Sequence, residues 1–107
     1  MTRILLSAAA RIDRRDITEH TVERFGIGQA RRLRDAFEAA LHNLAESPQL
    51  GKANEALDPP DHSFRYYPVM KRFIIVYEPS DDGIHVARLL HGARNLAVEL
   101  DHEPGDD

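Results

Sequence analysis

The chain has 107 residues, 42% hydrophobic and 30% charged, with no cysteine and a net charge of −4. That is the make-up of one globular domain able to bury a core without disulfides or metals, and the absence of cysteine excludes a disulfide framework and thiolate metal sites. No stretch approaches the ~20 apolar residues that span a bilayer, and Met1–Leu6 is not a secretion signal, so a cytoplasmic protein without membrane contact is expected.

The charge is unevenly spread. Arg3 to Arg34 holds eight arginines against four acids, whereas residues 61–107 hold five basic side chains against nine acidic ones. A broad nucleic-acid binder would be more positive overall, so no direct sequence-specific nucleic-acid binding is expected.

Arg3 to Leu6 reads as a short strand, with Ile4, Leu5 and Leu6 apolar. Ser7 is placed to cap a helix, because its hydroxyl can take an orphan amide of the next turn, and Ala8-Ala9-Ala10 favour that helix. The first helix is expected from about Ala8 to Phe25, with a thin apolar stripe of Ala10, Ile17 and Phe25 and with Ile12 and Val22 at its margins. Gly26-Ile27-Gly28 breaks it. The second helix carries a full stripe, Ala30, Leu33, Phe37, Ala40, Leu41 and Leu44, at spacings of three and four. It stops at Glu46-Ser47-Pro48, since a residue before proline resists the helical region. The short break predicts an antiparallel helical hairpin.

Leu50 to His62, punctuated by Gly51, Pro59 and Pro60, predicts a loop in which Leu57 tucks inward. Ser63 to Asn95 predicts a three-strand antiparallel meander. Its strands are Phe64–Tyr67, cut by Pro68; Arg72–Glu78, apolar on both faces and so central; and Ile84–Leu90, after an Asp82-Gly83 hairpin signal. One or two helical turns are expected over Ala93–Leu100, and the acidic end, 99–107, is expected to be disordered. The fold class is therefore α+β: a helical hairpin packed on a small, mainly antiparallel sheet in the order β-α-α-β-β-β. One domain covers 1–98 and the tail 99–107.

The catalytic inventory is sparse. There is no phosphate-cradling glycine loop, no nucleophile elbow, and no metal-ligand spacing among the six histidines. His85 and His91 share a strand, but six residues span about 20 Å, so no metal and no cofactor is expected. What remains is a cationic set around the meander: Arg65, Lys71, Arg72, Arg88 and Arg94, with His91. Arginines of this kind hold carboxylates or phosphates in a bidentate grip. Taken one at a time, the plainer expectation is ordinary surface charge, with Arg88 paired to an acid inside the fold. For Tyr66, Tyr67 and Tyr77 the plain expectation is core packing with the hydroxyl at the rim.

The order strand, helical hairpin, meander carries a recognisable set of residues. Ser7, Ala10, Asp13 and Ile17 open the first helix, and Gly26 with Gln29-Ala30 forms the turn. Leu44-Ala45-Glu46-Ser47-Pro48 is followed by Gly51, then Phe73-Ile74-Ile75-Val76-Tyr77, then Ile84 to Leu90 with His91-Gly92-Ala93-Arg94-Asn95. Over about residues 3–95 this set resembles the RelE/ParE superfamily of type II toxins, and the ParE branch above all. Arg14 and His20 depart from the pattern, standing where a leucine and an aromatic residue are usual.

The resemblance implies a toxin that poisons DNA gyrase, is neutralised by a ParD-like antitoxin in a hetero-oligomer, and serves plasmid stabilisation. The RelE branch instead cleaves mRNA on the ribosome, with basic residues on the sheet and a tyrosine near the C-terminus. Arg65, Arg72, His91 and Arg94 would be the catalytic set in that case, making the chain an endoribonuclease. No tyrosine follows Arg94, and His91 is the one histidine at the meander's end, so a proton-transfer pair is incomplete. The expectation is thus a binding toxin rather than an enzyme, with Arg88, His91 and Arg94 as target contacts or their supports. A non-toxic relative kept as a partner-binding module is the further alternative. The residues that bind antitoxin are left unassigned.

Overall fold

Ser7 ends one element and begins the next. In the computed structural model, which describes residues 2–92, strand β1 (Arg3–Leu6) runs into the helical segment α1 (Ala8–Glu46). Ser7 has an extended backbone, and its hydroxyl accepts from the Ala10 amide at 3.0 Å. The same hydroxyl donates to the Ala87 carbonyl at 2.7 Å. One side chain thereby caps the helix and ties its start to the far end of the sequence. The turns expected over 93–100, the acidic tail and Arg94 lie outside the described residues.

Helix α1 is bent at Gly26, whose φ of 89° and ψ of 171° are not helical. Only glycine takes such a conformation cheaply. The two arms, 8–25 and 27–46, lie side by side: Arg14 and Glu38, each twelve residues from Gly26, approach to 3.9 Å. The expected break is therefore made by Gly26 alone, and Gly28 belongs to the second arm. That arm buries the predicted stripe, Ala30, Leu33, Phe37, Ala40, Leu41 and Leu44, and adds Ala45. It ends where Ser47 donates its amide to the Asn43 carbonyl. The first arm is as thin as its sequence suggests, with Ala10 and Thr21 its only buried residues and Ile17 partly buried. Thr21 is satisfied internally, its hydroxyl donating to the Ile17 carbonyl at 2.7 Å.

The remaining strands are β2 (Lys52–Ala53), β3 (Arg65–Val69), β4 (Phe73–Ser80) and β5 (Gly83–His91). They form one five-stranded sheet in the order β1-β5-β4-β3-β2, parallel between β1 and β5 and antiparallel elsewhere. Strand β2 escaped the sequence reading because two exposed residues carry no periodicity. Pro68 does not cut β3: it pairs with Ile74, while β2 reaches only as far as Tyr66. A proline with no strand on its outer side costs no ladder bond.

Gly83 is also used differently from the expectation. Ser80 pairs with Gly83, so the two-residue turn is Asp81-Asp82 and the glycine is the first residue of β5. A Cβ there would lie 1.9 Å from the Arg3 carbonyl oxygen. The glycine lets β1 close against β5 and has no role in bending the turn. The genuinely strained turn is the other one. Met70 and Lys71, between β3 and β4, have φ of 52° and 61°, and Arg72 donates its amide to Val69 at 3.3 Å. Two consecutive positive φ angles are the sign pattern of a type I′ turn, which favours Asn-Gly. Each non-glycine residue held there costs roughly 1–2 kcal/mol.

Strand β4 is the middle of the sheet and packs on both faces, as its composition predicts. On one face Ile75 and Tyr77 join the helical stripe, and on the other Val76 joins Phe64, Tyr66 and Leu90 under Leu57. Tyr77 is fully buried, against the expectation of a hydroxyl at the rim. Its hydroxyl donates to Pro48 O at 2.6 Å and accepts from Gly51 N at 2.8 Å, so the loop after the second arm satisfies it inside. The second face is closed by the loop 54–64. There Asp58 accepts from Tyr66 Oη at 2.7 Å and from Phe64 N at 3.1 Å, and His62 stacks on Phe64 and meets Glu78 at 2.6 Å.

Burial, and then the Asp58 carboxylate, raise the Tyr66 pKa above the ordinary tyrosine value; burial also raises that of Tyr77. Raised tyrosine pKa values give stability that is complete below the unfolded value of 10.0 and lost as pH rises beyond it. Unfolding in urea should therefore show a plateau up to about pH 9 and a decline above about pH 10. Tyr66→Phe should shallow that decline while lowering the plateau by about 1 kcal/mol for the lost hydrogen bond. An unchanged slope in the variant would rule Tyr66 out as its source.

Candidate functional site

Pairing between β1 and β5 stops at Leu6 and Val86, yet β5 runs on to His91. At this point the register against β4 shifts: Tyr77 faces Val86 and Val76 faces Arg88, so Ala87 is an extra, bulged residue. The first helical arm crosses the strand end here and supplies what β1 no longer does. Asp13 accepts from the Leu89 amide at 3.0 Å, in the place of a neighbouring strand's carbonyl. Its two oxygens also accept from Arg88, at 2.7 Å from Nε and 3.0 Å from a terminal nitrogen. Side-chain exposure is only 8% for Arg88 and 11% for Asp13. This is a bidentate, desolvated pair, and the bulge places Arg88 to make it.

The sequence-derived candidates separate on this scaffold. Arg88, expected either as a target contact or support or as paired to an acid inside the fold, makes the internal pair with Asp13; it holds the arm on the sheet and offers no outward charge. His91 is exposed, with its ring edge-on to Phe73 at 5.2 Å. Arg72 sits at the same end, because its carbonyl accepts from Gly92 N, and its guanidinium lies 5.9 Å from the Phe25 ring centroid. Arg65 is at the other end of the sheet, donating to Gly51 O at 2.6 Å. The structure thus brings Arg72 and His91 together and leaves Arg65 apart, while Arg94 lies outside the described residues.

Arg72 and His91 border a cleft of about 1080 Å³ between the first arm and the ends of β4 and β5. Ile12, Ile17, Leu33, Phe73 and Leu89 give it apolar walls. Asp16, His20 and Arg24 line its helical side. They stand four residues apart and so share one helix face. That spacing was readable in the sequence but went unused, because His20 looked only like a departure from a family pattern. Phe25 and Met70, at the mouth, were also missed. They are 56% and 44% exposed, and an exposed apolar residue at a chain reversal has no periodic signature.

Removing one partner of a buried ion pair strands the other's charge, typically at a cost of about 3–5 kcal/mol. Asp13→Asn should lower unfolding free energy in urea by that order. Arg88→Met combined with Asp13→Leu should recover much of the loss. If the double variant is as unstable as the sum of the singles, the two side chains are not coupled.

The sequence fits, over residues 4–96, the family described as the ParE toxin of the type II toxin–antitoxin system parDE. It matches no protein of curated function. Among solved structures, one from P. aeruginosa, described as a chromosomal ParDE TA system, superposes with a TM-score of 0.67, covering 85% of this chain and 96% of its own at 17% identity. At that identity the likeness is one of fold. With the family pattern running from Ile4 to Leu96, the chain belongs to the ParE toxins of type II toxin–antitoxin systems.

Proposed function

We propose that this chain acts by binding, as an inhibitor of DNA gyrase in the cytoplasm, and that a ParD-like antitoxin neutralises it in a hetero-oligomer that stabilises a plasmid. The observation that carries the binding reading is the fate of the cations. Arg88 is consumed by Asp13 and Arg65 is held by backbone carbonyls at the opposite end of the sheet. The basic residues that a phosphodiester-cleaving site would gather round a phosphate are therefore dispersed. An apolar-walled cleft is better matched to a protein segment than to a nucleic-acid backbone, and the antitoxin would lie in it.

The second reading, a ribosome-dependent endoribonuclease, draws on the adjacency of Arg72 and His91 at one end of the sheet. Purified chain should block supercoiling by gyrase at a small molar excess and leave ribosome-bound mRNA intact. Supercoiling that proceeds unimpaired, with cleavage that disappears in Arg72→Ala, would replace the first reading with the second. Added ParD-like antitoxin should restore supercoiling.

A further inference from the structure

The tip of the helical hairpin and the β3–β4 turn meet at the mouth of the cleft. Three large apolar side chains stand exposed there: Phe25 at 56%, Ile27 at 59% and Met70 at 44%. Three cations accompany them: Arg24, Lys71 and Arg72. Among the described residues no carboxylate comes within ion-pair distance of any of the three. Arg72 instead lies over the Phe25 ring. Exposed arginine and aromatic groups side by side are the composition of interface anchors.

The turn itself adds an independent observation. Met70 and Lys71 both hold positive φ where Asn-Gly would be relaxed. Their side chains do nothing for the core: Met70 is exposed and Lys71 is exposed. A strained turn that displays an apolar and a cationic side chain to solvent is strain retained for something outside the fold.

We propose that this patch of Phe25, Ile27, Met70, Lys71 and Arg72 is where the toxin grips its target protein, and that it takes an acidic segment bearing apolar side chains. The charge decides the occupant. Lys71 and Arg72, cations that no carboxylate among the described residues reaches, suit a partner that brings carboxylates together with an apolar side chain. A cationic or purely apolar partner would leave these charges desolvated and unmatched. The proposal rests on the toxin reading but not on gyrase being the target. Ile27 and Lys71 stand outside the cleft lining, so they separate the target patch from a segment bound in the cleft.

Three variants test it: Ile27→Ser, Lys71→Glu, and the turn replacement Met70→Asn with Lys71→Gly. Each is scored for growth arrest on induction, for gyrase inhibition, for affinity for the ParD-like antitoxin, and for melting temperature. Growth arrest and inhibition should weaken at least about tenfold in all three, with antitoxin affinity within about twofold of the parent for Ile27→Ser and Lys71→Glu, the two changes outside the cleft. The turn replacement should do this while melting about 4 °C or more higher, which excludes misfolding as the cause. Undiminished arrest in the variants overturns the proposal. Antitoxin affinity falling in step with arrest in Ile27→Ser and Lys71→Glu also overturns it, by giving the patch to the antitoxin. Relief of arrest by these variants when the parent chain does not inhibit gyrase upholds the patch and removes only the gyrase reading.

Discussion

Everything at the functional end of this protein depends on one carboxylate. Asp13 meets β5 through three hydrogen bonds, two from the Arg88 side chain and one from the Leu89 backbone. Three bonds from one group leave little freedom in rotation or sliding, so the first arm has a defined seat on a sheet to which it contributes few apolar contacts. A buried ion pair is seldom a net gain over apolar packing. Here its value is positional. The stripe of the second arm would hold a helix on the sheet by burial alone, whereas Ala10 and Ile17 are too few to do so for the first.

That seat also decides which cations remain for other molecules. By binding Asp13, Arg88 is withdrawn from the surface, and by reaching the loop carbonyls Arg65 is held at the far end. The cleft mouth is left with arginine and lysine side chains that no acid among the described residues neutralises, bordered by apolar groups. The same fold that could gather a catalytic cluster has distributed its charges into one internal strut, one loop clasp and one open patch.

Much of the architecture was legible residue by residue. Ser7 as a cap, the buried stripe of the second arm and the two-faced β4 follow from local periodicity and capping chemistry, and all three are present. What stayed hidden was of another kind. The partner of Arg88 lies 75 residues away, and no local rule couples positions so distant. Gly83 read as a turn residue because Asp-Gly is a hairpin signal, when the constraint came from a strand at the other end of the chain. The turn at Met70-Lys71 carries no glycine or asparagine, so Pro68 marked a break there while the positive φ angles left no trace in the sequence. The candidate site was half visible: Arg72 and His91 were singled out, but the apolar mouth beside them was not, since exposure of an apolar side chain cannot be read from its neighbours in sequence.

The closeness of β1 to β5 has a consequence for the timing of assembly. Arg3 sits against Gly83 and Ser7 against Ala87, 80 residues on, so β1 and the helix cap wait for the last described strand before they find their partners. Joins of such long sequence separation form late and slowly. Until β5 emerges, Asp13 has no Arg88 and the first arm has nothing to sit on. A growing chain therefore cannot present the finished cleft mouth until β5 has been made. In a toxin–antitoxin system such a delay lengthens the time available for the antitoxin to be present first.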